Sequence, residues 1–245
     1  MRSIRLLFGL LFAVALHAQA PVSGCNAATT TAGATTSALT CSGATQFHLF
    51  ETCGSGVHTT APTDSSSNTW TARTERGVGS NFARLYFVQT ATATNSHTFT
   101  SPANCVIAVA GFSGVTGATD GADIGAIQSA TPQALTAITP TATGDLFIAG
   151  GFEPTATDAT FLPCNNEAAS TACTNPSFIY AQAARGSGTT TGLLSVLYWG
   201  LDTSTNALTT VWKLNNAFNG IVTHAAYLAT AAASGSLTPA HSSAF

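Results

Sequence analysis

Apolar side chains in this chain come in short runs, broken by clusters of Gly, Asn, Asp, Ser and Pro, and nowhere repeat at helical spacing. Residues 105–112 (CVIAVAGF) and 145–152 (DLFIAGGF) are continuous runs of strand length, the pattern of ribbons covered on both faces. Residues 96–100 (SHTFT) alternate at period two. Residues 46–52, 69–74, 135–139, 177–184, 192–199, 208–214 and 220–229, with Phe82, Leu85, Phe87 and Val88, complete the series. Glu, Lys, Gln and Met, which favour helices, are scarce. The pattern predicts an all-β chain, an antiparallel β-sandwich of jelly-roll or lectin-like type.

The ends of the chain read differently. Arg2 and Arg5, the apolar stretch 6–16 and the small residues Ala18 and Ala20 have the form of an export signal with cleavage after Ala20. Residues 21–45 are Ala/Thr/Ser-rich without periodicity and are expected to form a flexible leader. Residues 46–230 make the sandwich, and 231–245 a tail. The 245-residue chain is long enough for one large β domain, and no linker divides it. The expected location is secreted, extracellular or at the cell surface.

Only 7% of the residues are charged, against roughly 25% in ordinary domains. Lacking a Lys/Arg stripe to release counterions, the chain has no nucleic-acid footprint and none for an anionic membrane. No apolar run after the signal reaches the roughly eighteen residues of a spanning helix. The tail before Phe245 does not alternate, which argues against an outer-membrane barrel.

Six cysteines follow the signal: Cys25, Cys41, Cys53, Cys105, Cys164 and Cys173. An even set in an exported chain reads as disulfides, with fifteen pairings open. Cys164 and Cys173 lie close on one loop and are expected to pair. Cys53 ends one strand and Cys105 begins another, as antiparallel neighbours would, which leaves Cys25 with Cys41. No C-x-x-C or H-x-x-x-H spacing suggests zinc.

Several short elements occur in a recognisable order: Asp64 with Asn68-Thr69-Trp70, Leu85-Tyr86-Phe87, His97-Thr98-Phe99-Thr100, Phe112-Ser113-Gly114-Val115, Asp120-Gly121, Thr143-Gly144-Asp145-Leu146 and His224-Ala225-Ala226-Tyr227. This order resembles a widespread group of secreted bacterial β-sandwich modules with no settled activity. The resemblance covers roughly residues 46–230 and implies location and architecture. The cysteine-bearing stretch 164–173 departs from it.

The acids Glu51, Glu75, Asp120, Asp123, Asp145, Glu153, Asp158, Glu167 and Asp202 form no clustered array of the kind a glycosidase uses. Gly111-Phe112-Ser113-Gly114 has Val115 where a nucleophile elbow requires Gly. His48, His58, His97 and His224 are scattered, and His97 and His224 read as structural strand residues. Asp64, Asp120, Asp123 and Asp145 offer hard oxygens near strand ends, where calcium is the possible cofactor. Trp70, Tyr198, Trp199 and Trp212 are candidates to stack on sugar rings; Tyr198 and Trp199 must point to opposite faces.

The reading that follows is a non-catalytic surface, matrix or adhesion module that binds extracellular glycan or self-associates through edge strands without lysine guards. The alternative is a secreted glycan-active enzyme on a lectin-like sandwich. No N-x-S/T sequon invites N-linked sugar.

Overall fold

The computed structural model describes residues 20–54, 60–127, 133–153, 162–165, 181–187, 193–201, 205–213 and 220–229. Among these there is no helix, so none long and apolar enough to cross a membrane. The strands are β1 (Ala20–Ala28), β2 (Gln46–Gly54), β3 (Thr63–Asp64), β4 (Thr71–Ala72), β5 (Arg76–Val78) and β6 (Asn81–Val88). Next come β7 (Phe99–Thr100), β8 (Cys105–Ser113), β9 (Val115–Thr119), β10 (Ile124–Ile127), β11 (Gln133–Ala134) and β12 (Leu146–Glu153). The last are β13 (Leu162–Asn165), β14 (Ala181–Ser187), β15 (Leu194–Leu201), β16 (Thr210–Lys213) and β17 (Ile221–Ala229).

They build several antiparallel sheets. One has the order β1-β8-β2-β6-β4, with β5 also on β6; a second runs β10-β17-β12-β15-β14, with β9 also on β17. The smaller sheets are β11-β16-β13 and β3-β7. Alternation along each strand then decides what meets what. Phe50, Leu85, Phe87, Ala108 and Phe112 of the first large sheet share an apolar cluster with Leu146, Ile148, Phe152, Leu197 and Tyr227 of the second. At Gly150 a Cβ would overlap the Phe50 ring of the facing sheet.

The opposite faces are covered too. Phe47, Leu49, Tyr86, Ile107 and Val109 pack with Cys25, Cys41 and Phe99. Phe147, Val196, Tyr198, Val222 and Ala226 pack with Leu135, Ile138, Leu208 and Trp212. Covering on both sides explains the two uninterrupted apolar runs, which became β8 and β12.

The expected flexible leader is instead part of the first sheet. β1 pairs with β8 from Ala20 opposite Ser113 to Ala28 opposite Ala108, with a register shift between Pro21 and Asn26. The segment after it is tied down by backbone bonds from Thr36 N to Phe99 O, Leu39 N to His97 O and Thr45 N to Phe112 O. Its order comes from backbone pairing and a disulfide rather than from side-chain periodicity. Residues 1–19 of the expected signal and the expected tail, 231–245, lie outside the described residues.

Disulfides join Cys25 to Cys41 and Cys53 to Cys105, the latter directly opposite each other on β2 and β8. Cys164 is disulfide-bonded as well, while its expected partner Cys173 lies outside the described residues. Loop-closure entropy ranks the two described bridges. For separations of 52 and 16 residues the chain-entropy model gives about 4 and about 3 kcal/mol. Replacing Cys53 and Cys105 by Ala should therefore lower urea stability more than replacing Cys25 and Cys41, by about 1 kcal/mol. The opposite ranking would place the stabilisation in native packing.

Two histidines sit inside the packed layers. His48 lies between the large sheets, its Nε2 2.7 Å from Gln46 Oε1 and its ring edge-on to Tyr227 at 4.3 Å. Burial, with Arg73 adding repulsion, pushes its pKa down to about 3. His224 donates from Nε2 to Thr136 O at 2.9 Å and has the Thr210 hydroxyl 2.7 Å from Nδ1. Burial pushes its pKa to about 4, against the opposing pull of the Thr136 carbonyl and Asp123. Below pH 6.5 the unfolded chain protonates at both positions and the folded one does not. Stability is therefore complete above that pH and falls with acid, by about 1.4 kcal/mol per pH unit for each group. Urea midpoints at pH 6.5 and 5.0 should show the fall, and His48→Gln should flatten it; a pH-independent midpoint would contradict the burial of these rings.

Candidate functional site

Asp64, at the end of β3, organises the turn that follows. Its Oδ1 accepts hydrogen bonds from Ser66 N at 2.9 Å and Asn68 Nδ2 at 3.0 Å, with Asn68 N at 3.4 Å. Its Oδ2 accepts from the Trp70 indole at 2.9 Å. A buried carboxylate is tolerable only with such charge-assisted donors. Asn68 then links this turn to the next loop, accepting from Thr92 N at 2.7 Å and donating to Thr92 O at 3.1 Å. Ser67, at the apex, takes the left-handed φ of 54°, a conformation a non-glycine residue holds only when its surroundings fix it.

The tip of the turn and the end of β6 enclose a groove of about 450 Å³, lined by Ser66, Ser67, Asn68, Thr69, Thr71, Val88, Gln89, Thr90 and Thr92. Hydroxyl and amide groups dominate the wall, and none of these side chains is charged. Behind it stands His97, fully buried between Phe47 and Phe99, each ring centroid 4.8 Å away. β3 pairs with β7 and the chain before it, so His97 Nε2 comes to 3.3 Å from Asp64 Oδ1. The other nitrogen, Nδ1, lies 3.4 Å from Ser66 Oγ and 3.5 Å from Thr94 Oγ1. Burial lowers the His97 pKa more than Asp64 raises it, so the imidazole is neutral at pH 7. Its Nε2 makes no hydrogen bond among the described residues, so Asp64 acts on the ring by proximity, while Nδ1 meets the Ser66 and Thr94 hydroxyls.

Of the four aspartates considered for calcium, Asp120 and Asp145 meet each other, and Asp64 and Asp123 are engaged elsewhere. Asp64 spends both oxygens on the donors above. Asp120 accepts from Asp145 and from the backbone and hydroxyl of Thr141; burial pushes its pKa up, but these bonds outweigh it and hold it below the usual range. Asp123 accepts from Thr74 Oγ1 at 2.8 Å and faces Arg76 at 3.4 Å and Arg73 at 3.9 Å. Among the described residues one other group could ligate a metal, Glu51 with Cys53 and Cys105, and its sulfurs are joined as a disulfide.

Nor do the four aromatics form a sugar platform. Trp212 is fully buried and Tyr198 nearly so, packed edge-on at 6.0 Å. Trp199 points the other way, as alternation demands, and is half-buried against Phe112. Trp70 is half-buried, packed between Phe47 and Phe99 with its N–H held by Asp64. Tyr198 and Trp212 meet between the second large sheet and the smaller sheet that covers it, while Trp199 packs against the cluster shared by the two large sheets.

Compared with known proteins, the chain matches no family model, no curated protein and no solved structure.

The groove should depend on Asp64. Removing the carboxylate in Asp64→Ala strands several buried donors and is expected to cost about 3 kcal/mol. Trp70 should become more solvent-exposed, read as a red shift in tryptophan emission. An unchanged denaturation midpoint and emission would show that the turn holds itself.

Proposed function

We propose that the protein is an exported β-sandwich of jelly-roll type that binds neutral glycan in the hydroxyl-lined groove, as a surface or extracellular-matrix module. The observation that carries this reading is the wall itself: hydroxyls and amides, fixed by a buried Asp64, around a volume in the range of small-ligand sites. Such a wall pairs with sugar hydroxyls and offers nothing to a sulfate, phosphate or uronate. The signal-like first twenty residues and the two disulfides support an oxidising location. Glycoside hydrolysis is not favoured, since it needs two carboxylates across the scissile bond and the groove has none.

A glycan array followed by calorimetry tests it. Neutral oligosaccharides should bind, with affinity nearly independent of salt because no charge pairs form. Gln89→Ala and Thr92→Val should each weaken binding about fivefold, the worth of one neutral hydrogen bond. A preference for anionic glycans, or affinities unmoved by either substitution, would refute the assignment.

A further inference from the structure

The geometry points to a second property of the groove: Ser66 is a nucleophile, with His97 as its general base and Asp64 as the positioning residue, and it removes acyl groups from an esterified neutral glycan. The inference takes its substrate class from the groove reading above, while the nucleophile stands on the distances alone.

Three observations combine. The Ser66 hydroxyl lies 3.4 Å from His97 Nδ1, and the far nitrogen lies 3.3 Å from Asp64. These are the nucleophile, base and acid roles by which enzymes activate a hydroxyl, recognised by role rather than by chain order, with the acid placed beside Nε2 and not hydrogen-bonded to it. The contacts are long, as such bonds often are before substrate is bound. The third observation is position: Ser66 lines the groove, while His97 and Asp64 are shut away behind it. A purely structural Asp64–His97 pair explains their burial, but not why the free imidazole nitrogen meets a hydroxyl on the groove wall.

The chemistry balances without a cofactor. Ser66 Oγ adds to the ester carbonyl carbon as its proton passes to His97 Nδ1, and the imidazolium that forms is stabilised by the Asp64 carboxylate 3.3 Å from Nε2. The carbon–oxygen bond to the sugar breaks, and the departing sugar oxygen takes the proton from Nδ1. Water then repeats the sequence on the acylated Ser66, releasing a carboxylic acid and restoring the serine. The groove brings no cation to the developing oxyanion, and both amide hydrogens of Asn68 are engaged. Gln89 and hydroxyls remain, so turnover is slow beside that of enzymes with a full oxyanion hole.

The test is covalent labelling of the full protein with a fluorophosphonate, mapped by peptide mass spectrometry, alongside hydrolysis of 4-nitrophenyl acetate. A single adduct is expected at Ser66, not at Ser65 or Ser67. Ser66→Ala should abolish it and lower hydrolysis about a hundredfold or more, and Thr94→Val should leave both in place. Asp64→Asn should lower kcat far more than it raises KM. Failure of the natively folded protein to label, an adduct at Thr94, or hydrolysis unaffected by Ser66→Ala would each overturn the assignment. Glycan binding separates the two readings. Ser66→Ala that binds neutral glycan without reacting supports both; labelling of Ser66 without any neutral-glycan affinity retains the nucleophile and removes the substrate class.

Discussion

The rest of the structure depends on covering the central strands of both large sheets on both faces, while β1, β4 and β10 keep exposed residues. A central strand in such a sheet has no solvent side on which to place polar groups, so its polar side chains are driven to partners inside the protein. Gln46 answers His48, Thr210 and the Thr136 carbonyl answer His224, and the Ser195 hydroxyl crosses between sheets to the Phe50 carbonyl at 2.9 Å. Phe50 sits in the space that a side chain at position 150 would need. The smaller sheets and the segment after β1 are the cover that the arrangement requires.

Doubly covered strands announce themselves in sequence, and β8 and β12 were legible as uninterrupted apolar runs. So was the Cys53–Cys105 pair, because the end of one strand and the start of another, directly opposite, is a local pattern. The segment around β1 was not legible: small residues, a register shift and backbone hydrogen bonds leave no periodic trace. Trp212 misled for a related reason. It lies on β16, in the layer that covers the second large sheet, and its ring packs inward onto that sheet. The groove was half-visible, since the Asp64 to Asn68 turn is written plainly. Its link to His97 depends on β3 pairing with β7 across some thirty residues, which turn chemistry and alternation do not encode.

Scarcity of charge shapes what remains for recognition. Asp64, Asp120 and Asp123 are each consumed by donors of the protein itself, and Arg73, Arg76 and Arg84 are engaged by Asp123 and Glu75. The ionised groups hold turns and sheet edges together. Specificity at the surface therefore falls to neutral hydrogen bonds, each weak against water, and useful only where several are held in fixed positions. The Asp64 turn is the described place where a buried charge fixes a set of hydroxyls around a groove.

The three histidines among the described residues sharpen that point. All are buried, and burial lowers the pKa of each. His48 faces aromatic rings and an amide inside the core, where no substrate reaches. His224 has a hydroxyl on its free nitrogen, closer than any at His97, yet that hydroxyl belongs to the fully buried Thr210. Only His97 combines a neutral ring, a carboxylate on one nitrogen and a groove-wall hydroxyl on the other. Burial and a low pKa alone thus mark packing. It is the direction in which the free nitrogen points, toward Ser66 and the groove, that separates a base from a brick.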